Sequence, residues 1–133
     1  MISHTHLGIT DFERALAFYA AVMKPLGHVL KFSDAQKPWA AWKPAAAERP
    51  LFVIGRPHDG NTAAPGNGPM IALLAPDRKA VDECHAAAMT QGGVCEGAPG
   101  LRPQYDPNYY GAYFRDPDGN KLCVCCHEAE SRS

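Results

Sequence analysis

The chain contains two copies of one sequence pattern, and this internal repeat constrains the fold more than any other feature. Shifting the sequence against itself by 66 positions brings identical residues together. The matched residues are Leu7 with Leu73, Asp11 with Asp77, Ala20 and Ala21 with Ala86 and Ala87, Met23 with Met89, and Gly27 with Gly93. A repeat of this length is one supersecondary unit that buries its apolar face against a neighbour. The sequence therefore predicts two copies of one module.

Each copy predicts one helix. In the first copy, apolar residues recur at helical spacing over residues 11–23, and Thr10 with Glu13 fits a capping box at the start. Gly27 follows the end, where a glycine accepts the left-handed backbone. In the second copy, Asp77 is the predicted N-cap. The same strand–Asp–helix–Gly order therefore occurs twice.

Short segments rich in β-forming residues follow each helix. They cover residues 28–32, 39–43 and 51–54 in the first copy and 94–96, 109–115 and 120–126 in the second. Residues 116–119, with the sequence Asp-Pro-Asp-Gly, are a strong turn signal between the last two strands. With an apolar strand before each helix, each half reads β-α-β-β-β. Residues 97–107, which contain three prolines, are predicted to form a loop.

A module of this kind has one sheet face covered by its own helix, and the other face needs cover. We therefore expect an α+β fold in which two tandem βαβββ modules form a cupped, partly open mixed β-barrel with the helices outside. A small-molecule site would lie between the modules. The expected divisions of this single domain, residues 1–133, are module 1 at about residues 1–56, a linker at about 57–68, module 2 at about 69–128 and a tail at 129–133.

Charge and composition exclude several classes of function. Lys and Arg number 13 against 14 for Asp and Glu, and no basic run is present, so nucleic acid is not an expected partner. No stretch approaches the roughly 20 apolar residues of a membrane span, and we expect a soluble, cytoplasmic protein with no membrane partner. The five cysteines do not have the even spacing of a disulfide framework, so reduced thiols are expected.

Two stretches, near the ends of the chain, carry a resemblance to a known family. The first is residues 4–19, HTHLGITDFERALAFY, followed by Pro25-Leu26-Gly27; the second is residues 110–122, YGAYFRDPDGNKL. Together they resemble the opening and the final hairpin of the glyoxalase/bleomycin-resistance/dioxygenase superfamily, also called vicinal oxygen chelate proteins. Residues 52–57 and 98–103 are similar to its glyoxalase-like branch, which is named after lactoylglutathione lyase.

The resemblance implies a divalent metal held by one side chain from the first and last strand of each module. His4 matches the first-strand histidine, whereas Met70 and Cys123 stand where related proteins have a histidine and a glutamate. The fourth position falls in residues 51–55, which contain no acid, histidine or cysteine. His4 and Cys123 are therefore the candidate metal ligands, and the metal would be zinc, nickel, manganese or iron.

A rebuilt metal site is an alternative. Strand alternation places His6 on the same face as His4, and Cys125 and His127 on the same face as Cys123. A cluster of thiolates and imidazoles would favour zinc. Cys123 itself is open to three interpretations: a small buried thiol, a zinc ligand, or a nucleophile activated by a neighbouring cation.

By the same resemblance, the region around the proline-rich loop lines a small-molecule cavity. The residues expected to bind the ligand are His4, His6, Trp42, Arg102, Tyr105, Tyr109 and Tyr113. Aromatic walls with one guanidinium suit a ligand that has a planar or apolar part and an anionic group. In the alternative interpretation, the tyrosines on the penultimate strand only cover the sheet.

Besides a structural or regulatory protein whose cup is vestigial, two functions compete, and which residues would be catalytic is left open. The first is a small-molecule-binding protein, glyoxalase-like, with a degenerate metal site and an unknown reaction. The alternative is a divalent-metal-dependent lyase or isomerase, similar to lactoylglutathione lyase, with a rebuilt metal site. The resemblance also implies a homodimer, since symmetric dimers are the commonest closed assembly.

Overall fold

The computed structural model describes residues 1–130, so residues 131–133 of the expected tail lie outside the described part. Two helices and eight strands follow one another along the chain. They are β1 (His4–Gly8), α1 (Phe12–Met23), β2 (His28–Asp34), β3 (Trp39–Pro44), β4 (Leu51–Gly55), β5 (Ile71–Leu74), α2 (Arg78–Thr90), β6 (Val94–Leu101), β7 (Tyr110–Arg115) and β8 (Lys121–Cys126). The predicted β-α-β-β-β order of each half is confirmed.

The strands form two four-stranded mixed sheets with the same topology. The first has the order β1-β4-β3-β2 and the second β5-β8-β7-β6. In each sheet the first strand runs parallel to the last, with His4 opposite Leu51 in one and Ile71 opposite Leu122 in the other. The remaining neighbours are antiparallel. The fold is α+β with two tandem modules, and the sheets stay open instead of closing into a barrel.

Of the two predicted N-terminal helix caps, one is present and the other is not. Asp77 caps α2 as predicted, and its carboxylate accepts the amide hydrogen of Ala80 at 2.8 Å. The capping box at Thr10 was wrong, because the N-cap of α1 is Asp11. The Thr10 hydroxyl instead accepts a hydrogen bond from the backbone of Ala63, at 3.1 Å. A tertiary contact with the connection between the modules thus overrides the local capping pattern.

Strand β6 is longer than predicted. The expected loop at residues 97–107 begins only after Leu101, because Gly97 pairs with Tyr113 and Leu101 pairs with Tyr110. The register shifts twice along this pair of strands, before Gly97 and again before Gly100. Irregular pairing of this kind has no alternation of polar and apolar residues, so the sequence pattern did not reveal it.

A single core joins the helices to one face of each sheet. Helix α1 packs on α2, and the Phe18 ring lies 4.9 Å from that of Tyr19 and 6.1 Å from that of Phe114, by ring centroids. The Tyr19 ring is also 6.1 Å from the Trp42 ring. Residues of both modules are therefore fully buried in the same apolar cluster. Within residues 1–130, neither helix is long and apolar enough to cross a bilayer.

A buried carboxylate ties the second module to the first. Asp116, only 2% exposed, accepts a hydrogen bond of 2.5 Å from the Tyr19 hydroxyl of α1 and one of 2.9 Å from the Asn120 side chain. The Asn120 amide also donates to the Gly8 carbonyl at the end of β1, at 2.9 Å. The Thr10 backbone amide donates to Asp118 at 3.0 Å. The turn before β8 therefore fixes how the two modules meet.

Replacing Tyr19 with phenylalanine tests this tie. A hydrogen bond to a charged group contributes about 1.5–3 kcal/mol, and we expect Tyr19→Phe to lower the free energy of unfolding by that amount. Urea denaturation followed by circular dichroism measures it. The matched control is Tyr110→Phe, which removes an exposed hydroxyl that donates to Asp82 at 2.6 Å. Equal losses in the two variants would show that Asp116 has no special role.

Candidate functional site

Strand alternation turns every second side chain away from the shared core. Four buried residues alternate with core residues along their strands but do not belong to the core cluster, which places them on the opposite side of the sheets. They are Ala41, Val53, Cys123 and Cys125. They define what we call the outer face of each sheet, the first with Ala41 and Val53 and the second with the two cysteines. The predicted site residues divide between these two faces.

Two histidines lie on the first outer face. His4 and His6 alternate along β1 and are both exposed, and the Ser3 hydroxyl is 2.9 Å from Nδ1 of His4. His6 leans against Gly55, where an added Cβ would be 3.1 Å from its Nε2. Partial burial, and then the nearby His4, lower the pKa of His6. His6 therefore stays neutral at physiological pH and keeps a nitrogen lone pair.

An open cavity of about 600 Å³ adjoins His6. The segment after β4 supplies most of its wall. The lining residues are His6, Gly8, Arg56, Pro57, His58, Asp59, Thr62 and Ala64. The connection between the modules thus extends the first outer face with polar and charged groups.

A cluster of phenols and thiols covers the second outer face. The Tyr109 hydroxyl lies 3.1 Å from the Tyr113 hydroxyl and 3.3 Å from Sγ of Cys123. The Tyr105 ring meets the Tyr109 ring edge to face at 5.4 Å, and the Arg102 guanidinium lies 5.7 Å from the centre of the Tyr113 ring. The structure thus brings four predicted ligand-binding residues and the candidate metal ligand Cys123 together.

Three glycines make room for this cluster. A Cβ at Gly111 would be 2.8 Å from a ring carbon of Tyr109, and one at Gly97 would be 3.1 Å from a ring carbon of Tyr113. A Cβ at Gly100 would be 3.0 Å from a guanidinium nitrogen of Arg102. These side chains lie flat against backbone that has no side chain of its own. The sequence pattern does not predict this role, although Gly111 alternates with Tyr109 and Tyr113, and Gly100 with Arg102.

The surroundings of Cys123 stabilise its thiolate. A hydrogen bond from the Cys125 thiol is the largest influence, and the Tyr109 and Tyr113 hydroxyls and the Arg102 charge add to it. Against the opposing effect of burial, they lower the pKa of Cys123 to about 7. The same interaction raises the pKa of Cys125, so the two sulfurs carry one negative charge between them near neutral pH. All five cysteines of the chain are free.

Two predicted site or packing residues lie elsewhere. Trp42 is 3% exposed and packs in the core, on the helix side of the first sheet and not beside His4. It borders a separate apolar cavity of about 410 Å³ between the modules. Met70, which stands at one of the expected ligand positions, is 44% exposed in the single chain. Trp42 therefore belongs to the core and not to either outer face.

The residues of one chain do not fit the divalent metal site that the resemblance implies. Within residues 1–130, no three His, Cys, Asp or Glu side chains are close enough together to hold an ion. His4 and Cys123 belong to different sheets that share no hydrogen-bonded strands in that part of the chain. A divalent site would therefore need donors from outside the single chain.

Titration of the thiols tests the electrostatics of the second outer face. Thiolate absorbance in the ultraviolet should show one of the five cysteines losing its proton near pH 7, and Tyr109→Phe should raise that pKa by about one unit because a charged hydrogen bond is lost. Cys123→Ser should abolish the low transition. Cys95→Ser, at an exposed position, is the control and should leave it intact. Absence of any transition below about pH 8 would contradict the assignment.

Comparisons with known proteins agree with this fold. The family model described as Glyoxalase/Bleomycin resistance protein/Dioxygenase superfamily matches residues 1–124. A solved glyoxalase/bleomycin resistance protein from Albidiferax ferrireducens T118 is 35% identical, with a TM-score of 0.82, over 95% of this chain and 98% of that one. No match is found among curated proteins.

Two more distant structures share the fold. One is a glyoxalase/bleomycin resistance protein/dioxygenase family enzyme from Burkholderia phytofirmans PsJN, with 17% identity and a TM-score of 0.69 over 95% of this chain and 98% of that one. The other is a genomically encoded fosfomycin resistance protein from Listeria monocytogenes, with 17% identity and a TM-score of 0.65 over 99% and 94%. At this identity they support the architecture alone.

Proposed function

Because the chain belongs to the glyoxalase/bleomycin resistance/dioxygenase superfamily, whose members bind small-molecule substrates, we propose that it binds a small organic anion against the second outer face. The observation that carries this proposal is the cluster of Arg102 with Tyr105, Tyr109 and Tyr113. In this proposal the protein binds its ligand with a degenerate metal site.

The charge of Arg102 defines the class of ligand. Among residues 1–130, the ion pairs within 4.0 Å do not include Arg102. One of its nitrogens donates to the Ala98 carbonyl at 2.8 Å, which fixes the guanidinium beside the tyrosines. A half-buried guanidinium without a carboxylate favours an anionic group, and the phenol rings favour an apolar or planar body.

We propose that the complete site forms in a homodimer. Each outer face is open in the single chain, and apolar side chains near it are exposed, including Leu74 at 66% and Leu101 at 49%. Exposed apolar groups of this kind mark interaction surfaces. A twofold dimer would place the first outer face of one chain against the second outer face of its partner, twice. The His4 and His6 imidazoles would then face Cys123 and its tyrosines.

The alternative function, a divalent-metal-dependent lyase or isomerase, depends on the same dimer. It is favoured by one observation: His4 and His6 lie side by side on the exposed face of β1, where two imidazoles could meet one ion. Imidazoles from one chain and the Cys123 thiolate from the other would supply nitrogen and sulfur ligands. A divalent metal at stoichiometric amount in the purified protein, lost in His4→Ala, would favour this alternative over simple binding.

Insertion of a charge tests the dimer. We expect the chain to sediment as a dimer and Leu74→Lys to sediment as a monomer, because a buried unpaired charge is costly at an interface. The control is Ala20→Glu, on the exposed side of α1, which should leave the mass unchanged. A monomer in the unchanged protein would overturn the shared site.

A fluorescent aromatic anion tests the ligand class. Anilinonaphthalene sulfonate has a planar apolar body and one negative charge, and its emission should rise on binding. Arg102→Gln should weaken binding about tenfold or more, because a charge-assisted hydrogen bond contributes at least 1.5 kcal/mol. The control is Arg49→Gln at an exposed position. Equal affinities in both variants would place the probe elsewhere, such as the apolar cavity beside Trp42.

A further inference from the structure

Cys123 and Cys125 form a pair of thiols that the shared core does not use. They alternate along β8 on the outer face, where Cys123 lies opposite Tyr113 and Cys125 lies opposite Gly111. Both are buried, at 0% and 5% exposure, but neither belongs to the core cluster. Cys126, by contrast, faces the helices and packs in the core. The pair is therefore a separate structural element.

The spacing of the pair disfavours a disulfide. Same-face neighbours on a strand have Cα atoms about 6.5–7 Å apart, because the rise is about 3.3–3.4 Å per residue. Disulfides prefer a Cα separation of about 5.5–6 Å and rarely exceed about 6.8 Å. A metal–sulfur bond is about 2.3 Å, so an ion between two thiolates sets the sulfurs up to about 4.6 Å apart. The strand spacing suits a bridging ion better than a direct S–S bond.

We propose that Cys123 and Cys125 bind a soft monovalent metal ion, Cu(I) or its analogue Ag(I), as a two-sulfur site. Soft thiolate ligands select Cu(I), which accepts two ligands. Zinc is disfavoured, because it almost always takes four ligands and residues 1–130 gather no group of three candidate donors. Near neutral pH the pair still holds one proton, and binding of the ion displaces that proton to solvent, which leaves two thiolates on the metal.

The surroundings suit the charge and the access of such an ion. Two thiolates with one monovalent cation keep one net negative charge. Two positive side chains lie near this charge, because Arg102 and Lys121 are 5.7 and 5.8 Å from the centre of the neighbouring Tyr113 ring. Nε2 of His127 is 3.8 Å from Sγ of Cys125 and lies at the exposed edge of the pair. This site uses neither His4 nor the proposed organic ligand, so it stands independently of the proposed function.

The Tyr109 side chain covers the pair. Its hydroxyl is 3.3 Å from Sγ of Cys123, and its ring lies 5.2 Å from that of His127, which is exposed. Gly111 provides the space in which the ring rests. Movement of the Tyr109 ring toward the exposed His127 would open a path from solvent to Cys123.

Competition with a coloured chelator tests the proposal. The reduced, metal-free protein is added under anaerobic conditions to the Cu(I) complex of bicinchoninate, and loss of colour reports transfer. We expect one Cu(I) per chain, and at least about 100-fold weaker binding in Cys123→Ser and in Cys125→Ser, because one thiolate alone does not hold the ion. Cys95→Ser, at an exposed thiol, is the matched control and should retain full binding.

A second measurement avoids any folding defect of the variants. Ag(I) is added to the unchanged protein, free thiols are alkylated after brief unfolding, and mass spectrometry identifies which cysteines were protected. Protection of Cys123 and Cys125 together supports the site. Three results would overturn it: no transfer of Cu(I), full transfer in the variant lacking both thiols, or protection of other cysteines instead.

Discussion

The buried carboxylate of Asp116 is the interaction on which the arrangement of the two modules depends. It accepts hydrogen bonds from Tyr19 in the first module and from Asn120 in its own turn, and Asn120 in turn holds the end of β1. Burying a carboxylate is costly unless its lone pairs are satisfied, and here two backbone amides of the turn also donate to it. The two sheets have no hydrogen-bonded strands in common within residues 1–130. Helix packing and this polar contact therefore set the relative orientation of the two modules, which a shared sheet would otherwise fix.

This arrangement separates stability from chemistry. The helix-facing sides of both sheets form one continuous core, where Phe18 and Phe114 from different modules lie close together. The outer faces are free of that packing requirement, so they carry histidines in one module and thiols with phenols in the other. Such a division explains how a duplicated unit retains its topology while the two copies acquire different reactive groups. The residues that hold the fold and the residues that offer chemistry alternate along the same strands, as β8 shows with Leu122 and Cys123.

Much of the fold could be predicted from the sequence. The repeat is visible as matching residues, and the cap of α2 and the turn before β8 are local signals. The errors have tertiary causes. Thr10 has a good capping sequence but bonds to Ala63 instead. Trp42 looked like a ligand-binding residue, yet strand register turns it into the core. The phenol and thiol cluster could be predicted as residue types on neighbouring segments. Its contacts could not, because the distance from Tyr109 to Cys123 depends on a loop whose length and register leave no periodic pattern.

The glycines under the aromatic cluster affect how such a site can change during evolution. Gly97, Gly100 and Gly111 have no side chains, yet each sets where a neighbouring side chain rests. A single methyl group at Gly111 would displace the ring of Tyr109 and uncover the sulfurs beneath it. The arrangement of the phenols and thiols can thus be changed from positions that carry no side chain themselves. In comparisons among related chains, glycine-to-alanine exchanges on these two strands are as informative about specificity as changes in the polar residues themselves.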